Sequence, residues 1–203
     1  PKAKFYEQGV VSAAVKKRFV ADVEAITWAY KLAESTIHLP ASSDDVQEIE
    51  VLRLRAKADD VHDSVLAAID KAITHPVIFE IVSHHGTRMT TALAAGGSGG
   101  RYYSTQWLRD DARGPLPTSI SLSALYAALL DPLLPTAILP GERLSDVADR
   151  LTTISRLERE VSTLERRLRT EPQLNRKVEL RRTLKTHQAT LAGLKNPTTS
   201  TTS

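Results

Sequence analysis

A group of arginine and lysine side chains near the C-terminus offers the clearest chemistry in this sequence. Eight of them fall within residues 166–185, where only Glu171 and Glu179 carry the opposite charge. Guanidinium and ammonium groups at this density bind phosphates or carboxylates. The alternative is a solvated helix face whose charges pair internally, as Glu165 and Arg169 could at a spacing of four residues. The predicted binding residues are Arg166, Arg167, Arg169, Arg176, Lys177, Arg181, Arg182 and Lys185.

Carboxylates on predicted strands are the second set of candidates. A metal-dependent nuclease holds Mg²⁺ between clustered acids, with a lysine beside the attacking water. The acids that could serve are Glu48, Glu50 and Glu80, and none of them is followed two residues later by lysine. The pattern favours solvated or edge-strand carboxylates, and a nuclease would require the three to converge in the fold.

Histidines give little support for a metal site. His84 and His85 are adjacent, so on a strand they would point to opposite faces and could not share one ion. His62 and His75 supply no partner at metal-ligand spacing. The sequence therefore predicts no metal and no cofactor.

Three further patterns have structural explanations that we prefer. The stretch "GGSGGR" (96–101) lacks the Lys-Ser/Thr of a phosphate-binding loop and predicts a hairpin connection. Ser83 beside His84 has no third group to orient the base, so hydrolase chemistry is unsupported. Tyr102, Tyr103 and Trp107 could stack on bases, but they more often pack a sheet against a helix. We therefore expect no enzymatic activity.

Composition limits the class of protein. The chain has 203 residues, 41% of them apolar, and no cysteine that could form a disulfide or a thiolate metal site. It opens at Pro1 without methionine, which we interpret as a fragment. No apolar run approaches the roughly 18–20 residues that span a bilayer, so we expect a cytoplasmic protein without membrane contact.

The elements that must position these residues indicate an α+β fold. We predict a small mixed β-sheet with flanking helices, its first strand pair parallel and its later pairs antiparallel. The predicted helices cover residues 10–32, 59–73 and 120–135, and the predicted strands cover 49–58, 75–86, 87–95 and 101–108.

The C-terminal part reads as an antiparallel coiled-coil helical hairpin. Apolar residues step by three or four along two seams, which is typical of packed helices. Pro172 separates the seams and cannot continue a helix interior, so the bend should fall at about residues 169–174. The first seam holds Leu144, Val147, Leu151, Ile154, Leu157, Val161, Leu164 and Leu168, and the second holds Leu180, Leu184, His187, Leu191 and Leu194.

Charge follows this division. Residues 1–139 hold 14 basic and 16 acidic residues, a net charge of −2, whereas residues 140–203 hold 13 and 8, a net charge of +5. We predict an α+β domain over 1–139, the hairpin over 140–195 and a disordered polar tail over 196–203.

Several stretches together resemble a known family. They are "PKAKFYEQ", "ITWAYKLAESTIHL", "VQEIEVLRLRAK", "VLAAIDKAITHPVIFEI", "YYSTQWL" and "EPQLNRKVELRRTLKTH". The combination resembles the uncharacterised domain-of-unknown-function family 4391 of bacteria and archaea, whose members usually carry a short lead-in that is absent here. The resemblance implies neighbours such as superfamily-2 helicases and DNA methyltransferases in restriction-like antiphage defence clusters, on association alone.

Residues and resemblance together lead to one functional hypothesis. We expect a non-enzymatic accessory or adaptor subunit that docks a large helicase or methyltransferase-type protein through the basic hairpin. DNA is a second ligand to consider there, and a homodimer through the coiled coil is a further option. The alternative from another class is a divalent-metal-dependent nuclease subunit.

Overall fold

The computed structural model describes residues 11–41, 46–93, 101–109, 114–139 and 141–196. The chain divides into two compact units between Leu134 and Pro135. The predicted domain boundary, between residues 139 and 140, lies a few residues beyond this division. Most of the predicted "GGSGGR" connection and of the C-terminal tail lie outside the described residues.

A five-stranded mixed sheet forms the centre of the first unit and confirms the predicted fold class. Its strands lie in chain order, and only β2 and β3 are parallel. The later pairs, β3 with β4 and β4 with β5, are antiparallel as predicted. The strand β1, which the sequence did not predict, also pairs antiparallel with β2. The strands are β1 Val23–Ala33, β2 Glu48–Ala56, β3 Val77–Ser83, β4 Gly86–Ala92 and β5 Tyr102–Ser104.

The prediction of one helix over residues 10–32 is wrong beyond Asp22. A helix, α1, covers Ala13–Asp22, and β1 follows it directly. The pairing of β1 with β2 shifts register between Val23 and Ala25 and again between Trp28 and Tyr30. Each irregularity inserts an extra residue, which turns the two-residue alternation of a strand into spacings that imitate a helix. The β-branched and aromatic residues of this segment favour the strand.

Helices cover both faces of the sheet. Phe19 of α1 and Leu66 of α3 (Asp63–Asp70) are buried in one cluster with Leu52 and Phe79 of the sheet. The helix α4 (Leu122–Leu130) packs near β2 and buries four of its residues. Covering on both faces explains why residues 49–52 of β2 are all buried, with no alternation between buried and exposed positions. A short helix, α2 (Glu34–Ile37), follows β1.

The parallel strands β2 and β3, which α3 connects, both end at one edge of the sheet. Because β2 and β3 run in the same direction, the residues that follow each strand emerge at the same edge. The loop of residues 57–62 follows β2, and His84 and His85 follow β3. The loop ends at His62, whose Nδ1 accepts a hydrogen bond from the Ser64 backbone N–H at 3.1 Å and so caps α3.

The second unit contains the predicted helical hairpin. The helices α5 (Leu144–Thr170) and α6 (Leu174–Lys195) are separated by residues 171–173. At 1.5 Å per residue they are about 40 Å and 33 Å long. The pair is antiparallel, since Lys195 bonds Glu158 at 2.8 Å while Gln188, earlier in α6, bonds Glu165, later in α5, at 3.3 Å. The break at Pro172 is confirmed.

The two seams are buried to different degrees along the hairpin. In α5 the seam is buried at Val147, Leu151, Ile154 and Leu157. Further along, Val161, Leu164 and Leu168 are half-buried, as are Leu180, Leu184, His187, Leu191 and Leu194 of α6. We call residues 136–160 with 187–195 the root of the hairpin and residues 166–185 its bend.

Candidate functional site

The predicted basic residues lie together at the bend. Seven of the eight are exposed, and Lys177 is half-buried. Within the described parts of the chain, none of the eight forms an ion pair. Glu165, the acid expected to pair with Arg169, instead accepts a hydrogen bond from Gln188 at 3.3 Å. The bend therefore presents unneutralised positive charge.

Two apolar side chains lie among these cations. Leu174 is 73% exposed and Val178 is 58% exposed. They are one helical turn apart, and Arg181 and Lys185 continue the same face of α6 at spacings of three and four residues. Sequence reasoning missed both apolar residues, although neither fits the spacing of the Leu180–Leu184 seam. That misfit is the signal that could have revealed them.

At the root, by contrast, Arg150 is fully engaged, and its side chain is only 9% exposed. Arg150 donates from Nε and Nη2 to the two carboxylate oxygens of Glu142, at 2.8 Å each. It also donates to Thr136 Oγ1 at 2.7 Å and to the Ala137 carbonyl at 2.9 Å. The bonds from Arg150 hold the pKa of Glu142 below its usual range. Arg150 thus fastens the segment before α5 to the helix.

Three other cations of the root are paired at the surface. These pairs are Arg143 with Asp146 at 3.0 Å, Arg156 with Glu160 at 2.9 Å, and Lys195 with Glu158 at 2.8 Å. The root as a whole holds five basic and five acidic residues. The net positive charge of the hairpin is therefore concentrated at the bend.

The three strand acids do not come together. Glu50 lies opposite Val77 and Glu80 lies opposite Arg53 in the parallel pair. Val77 and Glu80 are three positions apart on β3, an odd offset, so Glu50 and Glu80 point to opposite faces of the sheet. Glu80 pairs with Arg53 at 2.5 Å and lines a mostly apolar cavity of about 470 Å³. This arrangement gives no support to the nuclease alternative.

Glu48 and Glu50 form a polar network on the other face. Glu48 pairs with Lys31 at 2.6 Å, and Trp28 Nε1 donates a hydrogen bond to Glu50. Burial and the bond to Glu48 raise the pKa of Glu50, while the bond from Glu50 lowers the pKa of Glu48. Their polar groups are satisfied within the protein.

His84 and His85 correct the expectation that they point to opposite faces. They occupy the turn between β3 and β4, where Ser83 pairs with Gly86, and strand alternation does not apply there. Their ring centroids are 3.8 Å apart. Gly86 has φ of 115°, and a Cβ there would lie 2.2 Å from the Leu108 carbonyl oxygen, so this turn requires glycine.

Tyr102 of β5 and Trp107, which follows this strand, pack against neighbouring side chains. Tyr102 lies 6.2 Å from Phe79 between ring centroids and donates a hydrogen bond to Asp70 at 3.2 Å. Burial raises the pKa of Asp70 to about 6. Trp107 lies 5.8 Å from the ring of His85 and 5.1 Å from the Arg88 guanidinium. These contacts favour packing over base stacking for Tyr102 and Trp107.

Comparison with known proteins agrees with the motifs. Residues 1–191 match the family described as a domain of unknown function (DUF4391). The chain belongs to this family. No curated protein and no solved structure matches it. In the described residues, no helix combines the length and apolar character that crossing a bilayer requires. A function for this DUF4391 member has to be argued from its own geometry.

Proposed function

We propose that this DUF4391 protein is a non-enzymatic accessory subunit that docks a large partner protein through the bend of its hairpin. The observation that carries the proposal is the set of eight cations at the bend, none of which forms an ion pair with another described residue. Exposed ion pairs contribute little to stability, and unpaired exposed cations contribute less. Clustered positive charge at the bend of the hairpin instead helps to recognise a partner of opposite charge and speeds association with it.

An acidic protein surface suits the bend better than DNA does. Leu174 and Val178 expose apolar area on the same face of α6 as Arg181 and Lys185. Apolar anchors surrounded by charge are typical of protein interfaces. A phosphate backbone would gain from the cations but would leave this apolar area without a partner. We therefore propose a partner that carries acidic groups around an apolar recess.

The class of partner comes from the family resemblance. It implies superfamily-2 helicases and DNA methyltransferases as neighbours, in clusters of the restriction-like or antiphage type. We propose that one of these large proteins is the partner. Half-buried seams along α5 and α6 make the hairpin a stiff spacer, which could present the bend at a distance from its root.

The experiment compares two variants with equal changes in charge. The bend variant replaces Arg176, Lys177, Arg181 and Arg182 with glutamine, which keeps helix propensity nearly unchanged. The control variant replaces Lys16, Lys17, Arg18 and Lys71 with glutamine, since all four are exposed in the first unit. Each tagged protein is expressed in the native cells, and proteins recovered with it are identified by mass spectrometry.

We expect the wild type and the control variant to recover the same large partner and the bend variant to lose it. Binding of all three to random duplex DNA is measured in parallel by fluorescence anisotropy. Loss of DNA binding with an unchanged partner would assign the bend to DNA, with about 0.9 counterion released per phosphate contact. Recovery of only a second copy of the chain would replace the proposal with a homodimer. A bend variant that keeps every partner would contradict docking at the bend.

A further inference from the structure

The edge of the sheet where β2 and β3 end brings together three potential metal ligands. Asp59 lies in the loop after β2, and His84 and His85 form the turn after β3. Their ligand atoms all lie within 4.8 Å of one another. We propose that Asp59, His84 and His85 bind a divalent transition-metal ion, with zinc as the ion that fits best.

The distances are close to those that a metal ion requires. Asp59 Oδ1 lies 3.5 Å from His84 Nε2 and 3.8 Å from His85 Nε2. Ligands held at 2.0–2.1 Å around a tetrahedral zinc ion lie about 3.3 Å apart. The two carboxylate-to-imidazole distances therefore exceed this separation by only a few tenths of an ångström. The 4.8 Å limit on the three ligand atoms means that closing the site needs movements of at most about 1.5 Å at exposed side chains.

The chemistry of the three ligands selects the class of metal. Imidazole nitrogen suits zinc, copper, nickel and iron, whereas Mg²⁺ and Ca²⁺ prefer oxygen ligands alone. Two histidines and one carboxylate form a recurring ligand set for zinc. A tetrahedral ion with three protein ligands keeps one position for water or another small ligand.

Neighbouring contacts hold the ligands in place. The backbone N–H of His85 donates to Ser83 Oγ at 3.1 Å, and the His85 ring lies 5.8 Å from Trp107. Arg88 of β4 pairs with Asp60, the neighbour of Asp59, at 2.7 Å. Arg88 thereby ties the loop after β2 to the strand that follows the histidine turn. Such supporting contacts orient ligands and raise metal affinity.

Isothermal titration of the tag-free, chelator-treated protein with Zn²⁺ tests the proposal. We expect one Zn²⁺ per chain, and at least about tenfold weaker binding in His84→Ala, His85→Ala and Asp59→Asn. The control is His38→Asn, which removes an exposed histidine outside the cluster while suiting its positive φ of 55°.

A second readout separates metal loss from misfolding. Co²⁺ added to the wild type should give visible absorption bands of a tetrahedral nitrogen and oxygen site, and the three variants should lack them while keeping the circular dichroism of the fold. If the alanine variants fail to fold, His84→Asn and His85→Asn replace them. Equal Zn²⁺ affinity in wild type and variants, no measurable binding, or one ion shared between two chains would overturn the proposal.

Discussion

Arg150 at the root of the hairpin and Arg181 at its bend are both arginines, but their burial and bonding partners differ. Arg150 is largely shielded from solvent and bonds Glu142, Thr136 and Ala137, whereas Arg181 is exposed and, among the described residues, has no ion-pair partner. Removing one partner of a buried pair leaves the other charged group without solvent or counter-charge. An exposed cation keeps its hydration and contributes little to stability. The root therefore stabilises the hairpin, and the charge of the bend is available for binding.

The largest effect is expected from breaking the shielded pair of Arg150 and Glu142 at the root. Arg150→Met should lower the free energy of unfolding by about 3–4 kcal/mol, because Glu142, whose side chain is 11% exposed, then lacks its partner. Urea unfolding followed by circular dichroism measures the change. Adding Glu142→Gln to Arg150→Met should recover part of the loss, since no unpaired charge then remains. Equal stability of Arg150→Met and the bend variant would remove the distinction between root and bend.

Apolar side chains should show the same contrast. Leu157 of α5 is 4% exposed, and Leu157→Ala should cost about 2–4 kcal/mol through lost burial and a cavity. Leu174 at the bend is 73% exposed, so Leu174→Ala should change the unfolding free energy by less than about 0.5 kcal/mol. Thermal unfolding of the two variants side by side gives the comparison. A marked loss of stability in Leu174→Ala would show that this residue serves packing.

The contribution of Asp70 to stability should depend on pH in the opposite direction to that of Glu142. Asp70 is buried, accepts a bond from Tyr102, and has its pKa raised from 3.8 to about 6. Its contribution to stability is complete below pH 3.8 and is lost as the pH rises through 6, by about 2–3 kcal/mol. Glu142, whose pKa is lowered, loses its contribution as the pH falls.

The substitution Asp70→Asn isolates the effect of Asp70 ionisation on the free energy of unfolding. Asparagine keeps the acceptor oxygen for Tyr102 and does not ionise, so the variant should gain stability relative to wild type between pH 4 and pH 7. Urea midpoints measured across this range give the difference. A constant difference at all pH values would mean that Asp70 does not titrate between its ordinary pKa and 6.

Local signals explain which parts were predictable from the sequence. Leucine spacing and Pro172 act within a few residues, and the two hairpin helices and their break followed from them. The strand Val23–Ala33 was misread as helix because its bulges, visible only in the pairing with β2, disguise the alternation. The parallel pairing of β2 with β3 brings Asp59 to His84, and nothing near either residue signals it.

The bend itself shows the same limit. Its cations were predicted because charge density is read directly from the sequence. The sequence does not show whether these cations form ion pairs, because pairing depends on side-chain contacts across the hairpin, such as that of Gln188 with Glu165. Leu174 and Val178 are exposed because they lie on a face of α6 that does not contact α5. The sequence indicates this only when each apolar residue of α6 is tested against the spacing of the seam.

Binding of the isolated partner to the bend variant tests the account most directly. The partner recovered with the wild type is purified and titrated calorimetrically with wild type, with the Arg176, Lys177, Arg181 and Arg182 glutamine variant, and with the first-unit control of equal charge. We predict at least about tenfold weaker binding by the bend variant, which is about 1.4 kcal/mol, with unchanged stability and an unaffected control. Equal affinities for all three proteins would contradict a docking role for the bend.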